Sequence, residues 1–496
     1  WHGAATLLVA GALQTLTLSP FHLWWLGPVS IFLILLATVH QPPRKLLLSG
    51  WLTGVGLFAS GASWIYISIS EHGNTSIPIA ITLMVLFIAG VALFHGLAFW
   101  FWGKLAKDSP VRRLLLFPAI WVLGDWLRGW LLTGFPWLYL GTGHVDGPLA
   151  GLAPLTGVHG ITFWITVTAV AAYAAWWLVR ENRRASAGTV AVIALLPWLI
   201  APAMKQADWT KLDEQPLSFV AMQGNIPQQI KWDPEFLKQQ VVTYLGMTEE
   251  HWQADIILWP ETAIPFPQDQ AGPIIDHIKD QLGEDTTLIT GIPWYTYSEQ
   301  VEDYTFHNSI MALGNGEGAY HKQKLVPFGE YVPLEGLLRG LIGFFDLPMS
   351  SFTPGPDYQS PLEANGHRVM PYICYEVAYP DFAAFNARNT DILVTISNDG
   401  WFGDSIGPLQ HLQMARMRAL ETGRYMLRGT NNGVTAIINE KGEITERIPQ
   451  FERGVLTGQA YTATGNTPYM QTGSWPVLTL AVILIVFVRE RVIPKN

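Results

Sequence analysis

The sequence predicts two physically different parts in one chain: a multi-pass α-helical membrane domain of about eight spans, and an α/β domain inserted before the last span. Three observations carry this reading. Apolar runs fill nearly all of residues 1–204 and recur once near the end, at about 473–488, and a helix needs ~20 apolar residues to cross the ~30 Å hydrocarbon layer. Charge divides the same way: residues 205–470 hold 17 Lys+Arg against 33 Asp+Glu, a net −16, whereas 1–204 with 471–496 hold 13 against 6, a net +7. Within 205–470 short apolar strands alternate with amphipathic helical stretches, the pattern of an α/β domain.

Seven of the apolar runs lie at roughly 4–19, 22–40, 46–69, 76–103, 113–132, 157–179 and 187–204. The first, short and polar at Gln14, reads as a span rather than a cleaved signal, because six more follow it closely. Cytoplasmic loops collect Lys and Arg, and basic residues cluster after every second span. Arg44 and Lys45 follow span two; Lys104, Lys107, Arg112 and Arg113 follow span four. Arg180, Arg183 and Arg184 follow span six, and Arg489, Arg491 and Lys495 follow span eight. Both termini are therefore expected in the cytoplasm, and the α/β domain on the opposite side. The expected boundaries are 1–204 for the seven-helix membrane domain, 205–470 for the extracytoplasmic domain, and 471–496 for the last span and tail.

In the α/β domain the candidate strands are 216–223, 255–260, 286–292, 308–313, 368–374, 391–397, 425–430, 434–439 and 454–460; helical stretches fall near 234–250, 271–282, 376–388 and 408–423. A mean hydropathy of +0.22 over 496 residues is unusual for a wholly soluble chain. The overall charge of −9 argues against a nucleic-acid-binding surface. A single cysteine, Cys374, excludes an intramolecular disulfide and any Cys-cluster zinc or iron–sulfur site. No metal or nucleotide motif is visible, so no cofactor is expected.

Cys374 closes an apolar strand and precedes Tyr375, Glu376 and a helical stretch. Backbone N–H groups at such a junction favour a thiolate, although a free cysteine is more often a small buried hydrophobe. A nucleophile needs a base. His251, His277, His307, His321, His367 and His411 lie in the domain, and no spacing singles one out. Glu261 follows the strand DIILWP directly, at the carboxyl edge where open α/β sheets place their sites; a solvated loop glutamate is the plain alternative. In YHKQKLVPFGEYVP (320–333), Lys322 and Lys324 follow the short strand GAY, and Glu330 sits in an apolar, turn-rich loop that fits a pocket lining. A lysine beside such a thiol would supply fixed positive charge for an oxyanion.

The ordered motifs WPET, HKQKLVPFGEY and ICYE resemble the Glu-Lys-Cys triad of the nitrilase (carbon–nitrogen hydrolase) superfamily, and TISNDGWFGDS and RALETGRYMLRGTNNGVTAIIN resemble that family's later strands. With seven spans before this domain and one after it, the whole chain resembles the bacterial apolipoprotein N-acyltransferase family, including QGNIPQQIKWDP (223–234), GFPWL (134–138) and the arm LLRGLIGFFDLPMSSF (337–352). The resemblance implies a nitrilase-like αββα sandwich, with Cys374 as nucleophile, Glu261 as general base and Lys322 as the triad lysine, eight residues before Glu330. It further implies that Glu330, Glu376 and Tyr375 support the triad, and that Trp232 and Arg339 bind substrate. The choice of Lys322 over Lys324 rests on the motif alone.

The implied reaction moves the sn-1 acyl chain of a phospholipid, through a Cys374 thioester, to the α-amine of a lipoprotein's N-terminal diacylglyceryl-cysteine. The implied partners are a phospholipid donor, a diacylated apolipoprotein acceptor and the bilayer, the protein being a monomer of the bacterial inner membrane with its catalytic domain on the periplasmic side. Apolar residues of the arm, among them Leu341, Ile342, Phe344 and Phe345, suit either a lid dipping into the leaflet or a helix packed on the core. A membrane-tethered amidase would use the same triad on a small C–N substrate. A transporter is disfavoured, because His95 and His159 are isolated and the spans carry no set of ionisable residues marking a path.

Overall fold

The computed structural model describes residues 2–73, 75–107, 109–299, 302–333 and 351–491. The chain forms two compact units. The first comprises Trp1–Ile65, Pro78–Ala207 and Gln471–Asn496; the second comprises Tyr66–Ile77 and Asp208–Met470.

The first unit is helical, and every apolar run of the sequence falls on a helix: His2–Thr15, Leu26–Thr38, Pro43–Gly61, Ile77–Ala106, Pro110–Arg128, Ala153–Arg180, Arg184–Lys205 and Trp475–Arg491. Fewer of them meet the length and composition of a spanning helix. Ile77–Ala106, Pro148–Arg180 and Arg184–Lys205 do, and a fourth is reached if Pro43–Gly61 and Ile65–His72, bent by 65° at their junction, are counted as one span. Leu26–Thr38 has 13 residues, a rise of ~20 Å against the ~30 Å core. Pro110–Arg128 carries Arg112, Arg113, Asp125 and Arg128. The apolar runs overestimate helix length because they include loop residues such as those at 22–25.

Close helix approach rests on small residues. A Cβ on Gly56 would lie 2.1 Å from the Leu8 carbonyl oxygen. Asp125 and Arg128 form an ion pair at 2.9 Å, which is buried and not on the helix surface. Arg128 also donates to the carbonyls of Phe135 and Trp137, at 2.6 and 2.7 Å, and so ties down the loop that carries GFPWL.

Besides the short antiparallel pair of Lys211–Leu212 and Ala463–Thr464, the described residues of the second unit form two large sheets. One runs in the order Gly454–Ala460, Leu217–Gln223, Ile256–Leu258, Thr287–Ser298, Asp303–Gly314, Ala319–His321; the other runs Ile444–Ile448, Thr435–Ile438, Met426–Thr430, Ile392–Ser397, His367–Ile373, Leu362–Ala364, Gly316–Glu317. The central strands of each are parallel and buried on both faces, which is why the sequence reads there as continuous apolar runs. The sheets pack face to face. Gly429 of one lies under Leu258 of the other, where an added Cβ would come within 2.9 Å of Leu258 Cδ2. Helices Leu237–Thr248 and Gly272–Gln281 close the first sheet over Val220, Met222, Ile257 and Trp259. Pro380–Asn386 and Gly407–Thr422 belong to the second sheet's outer layer. The result is the expected four-layer αββα sandwich. Its parallel strands deliver Glu261, Cys374 and Asn398 just beyond their carboxyl ends.

Candidate active site

Glu261 lies three residues beyond the strand Ile256–Leu258, in a turn where Thr262 has φ +51°. Gly291 makes room for that turn, since a Cβ there would sit 2.4 Å from the Thr262 nitrogen and 2.8 Å from Glu261 Cα. Each carboxylate oxygen then has its own donor. Asn308 Nδ2 donates to Oε1 at 2.7 Å, and the Asn398 N–H donates to Oε2 at 2.8 Å. The Lys231 ammonium donates to the Glu261 carbonyl at 3.1 Å.

Lys322 follows the strand Ala319–His321, and its N–H bonds the Asn308 carbonyl at 2.8 Å. Its side chain is buried with Nζ 2.9 Å from both oxygens of Glu330 and 3.8 Å from Glu261 Oε1. Glu330 also accepts from Asn308 Nδ2 at 2.9 Å and from the Val326 N–H at 2.8 Å. One amide therefore bridges two carboxylates that share one ammonium. Lys324 lies elsewhere: its Nζ is over the Tyr379 and Phe382 rings, 5.8 and 5.4 Å from their centroids.

Cys374 begins the short turn Cys374–Ala378 with φ +51°, a region a side-chain-bearing residue enters only when held. Glu376, fully buried, does part of the holding. It accepts from the N–H groups of Ile373, Gln323 and Lys324 at 2.8, 2.7 and 3.2 Å and from the Tyr320 hydroxyl at 2.9 Å. It thus ties the cysteine turn to the lysine loop. Tyr375 is buried beside Tyr379, ring centroids 5.2 Å apart.

The electrostatics follow from burial and neighbours. Burial works against the Lys322 charge, but the carboxylates of Glu330 and Glu261 outweigh it and hold the ammonium protonated well above the usual lysine range. Cys374 keeps a partly accessible surface, yet burial, then the charge of Glu261, pushes its thiol far up, with Lys322 and Ser397 pulling the other way. This corrects the expectation that the junction favours a thiolate: a five-residue turn offers little dipole, and burial together with the Glu261 charge outweighs it. Burial raises Glu376 to about 7 against its four donors, and burial lowers Lys231 to about 8.

Of the residues singled out in the sequence, the structure brings Glu261, Lys322 and Glu330 into direct contact, with Cys374 beside Lys322 and Glu261 and Glu376 tied to the loop behind them. Trp232 is half-buried in the turn after Lys231 and makes none of these contacts. Arg339 and residues 337–350 of the arm lie outside the described residues. Sequence reasoning missed Asn308, Lys231 and Asn398. Asn398 alone had a signal, ending a strand as WPET does. Among the described residues no cluster of three or more His, Cys, Asp or Glu could hold a metal ion.

The class of protein is set by a match to the carbon–nitrogen hydrolase family over residues 220–465, the segment that carries this whole cluster. Residues 10–171 match the apolipoprotein N-acyltransferase N-terminal domain. Apolipoprotein N-acyltransferase of Pseudomonas syringae pv. tomato is 48% identical over 488 residues, covering 98% of this chain and 96% of that protein. The Azotobacter vinelandii protein of the same name is 47% identical over 490 residues, covering 98% and 94%. Saccharomyces cerevisiae Nit3, a member of branch 10 of the nitrilase superfamily, covers 53% of this chain and 94% of its own at 13% identity and a TM-score of 0.35. The chain belongs to the apolipoprotein N-acyltransferase family.

Proposed function

We propose that the protein transfers the sn-1 acyl chain of a phospholipid to the N-terminal amine of a diacylated lipoprotein, through a thioester on Cys374. The observation that carries this reading is the buried set of Glu261, Lys322 and Glu330 around Cys374, in a chain whose other unit is built of apolar helices.

Glu261 takes the thiol proton as the sulfur attacks the ester carbonyl, so the thiolate forms only when it is used; the raised thiol suits such a step. The tetrahedral intermediate places an oxyanion near Lys322, whose fixed charge and the neighbouring backbone N–H groups stabilise it by ~3–4 kcal/mol per donor. Collapse breaks the acyl–oxygen bond. The lysophospholipid oxygen takes the proton back from Glu261, leaving the thioester. The lipoprotein amine then attacks the thioester, Glu261 receives its proton and returns it to the departing sulfur, and an amide forms. Two half-reactions sharing one covalent intermediate give ping-pong kinetics. Asn308 keeps Glu261 and Glu330 apart and oriented, while Glu376 and Tyr375 set the cysteine turn; Trp232 and Arg339 are assigned to substrate binding.

Membrane attachment fits such substrates, because drawing an acyl chain out of the bilayer costs ~0.8 kcal/mol per CH₂. The same reading gives eight spans, both termini in the cytoplasm, the catalytic domain on the periplasmic face of the inner membrane, and a monomer. The test is competition between substrate classes. Purified protein given phospholipid and a diacylglyceryl-cysteine peptide should form the N-acylated peptide and lysophospholipid in equal amounts. Hydrolysis of small amides with no peptide acylation would replace this reading with the amidase.

A further inference from the structure

Behind Cys374 lies a fully buried polar chain that the proposed chemistry does not use. His411 Nε2 is 3.0 Å from the Cys374 carbonyl oxygen, and His411 Nδ1 is 2.9 Å from Asp399 Oδ1. Asp399 Oδ1 also accepts from the Ser397 hydroxyl at 2.6 Å, and Arg428 Nη2 donates to Oδ2 at 2.7 Å while lying 3.2 Å from Nδ1. His411, Asp399 and Arg428 are at most 2% exposed. A carbonyl oxygen can only accept, so Nε2 carries a proton and donates to Cys374 whatever occupies Nδ1. Burying three ionisable groups without use is expensive, and this set ends on the main chain of Cys374, which is held at φ +51° beside Glu261 and Lys322.

We propose that His411 is a positioning residue: anchored by Asp399 and Arg428, it clamps the Cys374 carbonyl, holds that residue in its left-handed conformation and so aims the sulfur at the substrate carbonyl. Ser397 extends the same device, because its hydroxyl is shared between Asp399 and the Cys374 thiol. The clamp acts through geometry; Glu261, Lys322 and Asp399 are the charged groups that also face the thiol. A small misplacement of a reacting atom slows chemistry without weakening ground-state binding.

This inference rests on Cys374 being the nucleophile, and its test separates the two. Full-length wild type, His411→Ala, His411→Gln and Asp399→Asn are compared in single-turnover acylation with labelled phospholipid, with melting temperature measured in parallel. In His411→Ala the acylation rate at saturating donor should fall about 100-fold while the half-saturating donor concentration stays unchanged. His411→Gln, which keeps a side-chain N–H, should recover about tenfold of that loss. Should His411→Ala fail to fold, Asp399→Asn carries the test, and its rate should fall at least about tenfold. A folded His411→Ala or Asp399→Asn acylated at the wild-type rate overturns the clamp, as does His411→Gln no faster than His411→Ala. An unacylated wild type overturns the nucleophile assignment itself.

Discussion

Replacing Lys322 by methionine removes the ammonium shared by two buried carboxylates. In the wild type its Nζ lies 2.9 Å from each oxygen of Glu330 and 3.8 Å from Glu261, with the side chain 1% exposed. Breaking a buried pair by deleting one partner costs ~3–5 kcal/mol, a large share of the ~5–15 kcal/mol that holds a domain folded. On the proposed chemistry, losing Lys322 as oxyanion donor should add ~3–4 kcal/mol to the acylation barrier, or about 100- to 1000-fold in rate. Glu261 and Glu330 would then face each other with no ammonium between them, held by Asn308 Nδ2 and the N–H groups of Asn398 and Val326. Adding Glu330→Gln should recover part of the stability and none of the rate. Lys324→Met, which loses two ring contacts, should cost about 1 kcal/mol. Thermal unfolding of the intact protein and single-turnover acylation read the two effects separately. A Lys322→Met protein that melts with wild type and acylates within about threefold of it would refute the reasoning.

Three further outcomes follow from the same network. Asn308→Ala leaves Glu261 and Glu330 without their common donor and should destabilise by about 2–3 kcal/mol, checked by melting temperature; a neutral result would mean that other donors suffice. Glu376 is raised from 4.5 to about 7, so the folded state binds its proton more tightly. Its contribution is best below about 4.5 and falls by about 3 kcal/mol as pH rises through 7; Glu376→Gln should flatten that slope, and an unchanged slope would contradict the assignment. Asp399 is lowered from 3.8 to about 2 by Arg428 and His411 acting against burial. The stability it adds is complete above 3.8 and lost, about 2 kcal/mol in all, as pH falls through 2. The stability gap between wild type and Asp399→Asn should therefore shrink across that acid window, and a constant gap would speak against a charged Asp399.

The central strands were legible because they are buried on both faces, and a run such as DILVTIS can satisfy that only as a continuous apolar segment. Leu362–Ala364 and Gly316–Glu317 were not, being two or three residues long and defined by their pairing partner rather than by pattern. The long hairpin of Thr287–Ser298 and Asp303–Gly314 was read short, because its far end, with Tyr297 and Tyr304, is exposed and has no core to pattern it. Within the site, strand ends pointed to Glu261 and Cys374. Asn308 sits inside a strand, and its partners are 47 and 22 residues away, so no local signal marks it. His411 lies on a helix buried nearly all round, where helical periodicity distinguishes no face. Spacing could not choose between Lys322 and Lys324; depth does, since one is enclosed by carboxylates and the other lies over aromatic rings.

The central claim is the covalent intermediate on Cys374. Incubation with phospholipid carrying a labelled sn-1 chain, followed by mass spectrometry of the Cys374 peptide, should show one acyl adduct. That adduct should be absent from Cys374→Ser, strongly reduced in Glu261→Gln, and discharged as amide when a diacylglyceryl-cysteine peptide is added. Amide formed by Cys374→Ser at the wild-type rate, or with no adduct at any time in the wild type, would contradict the account.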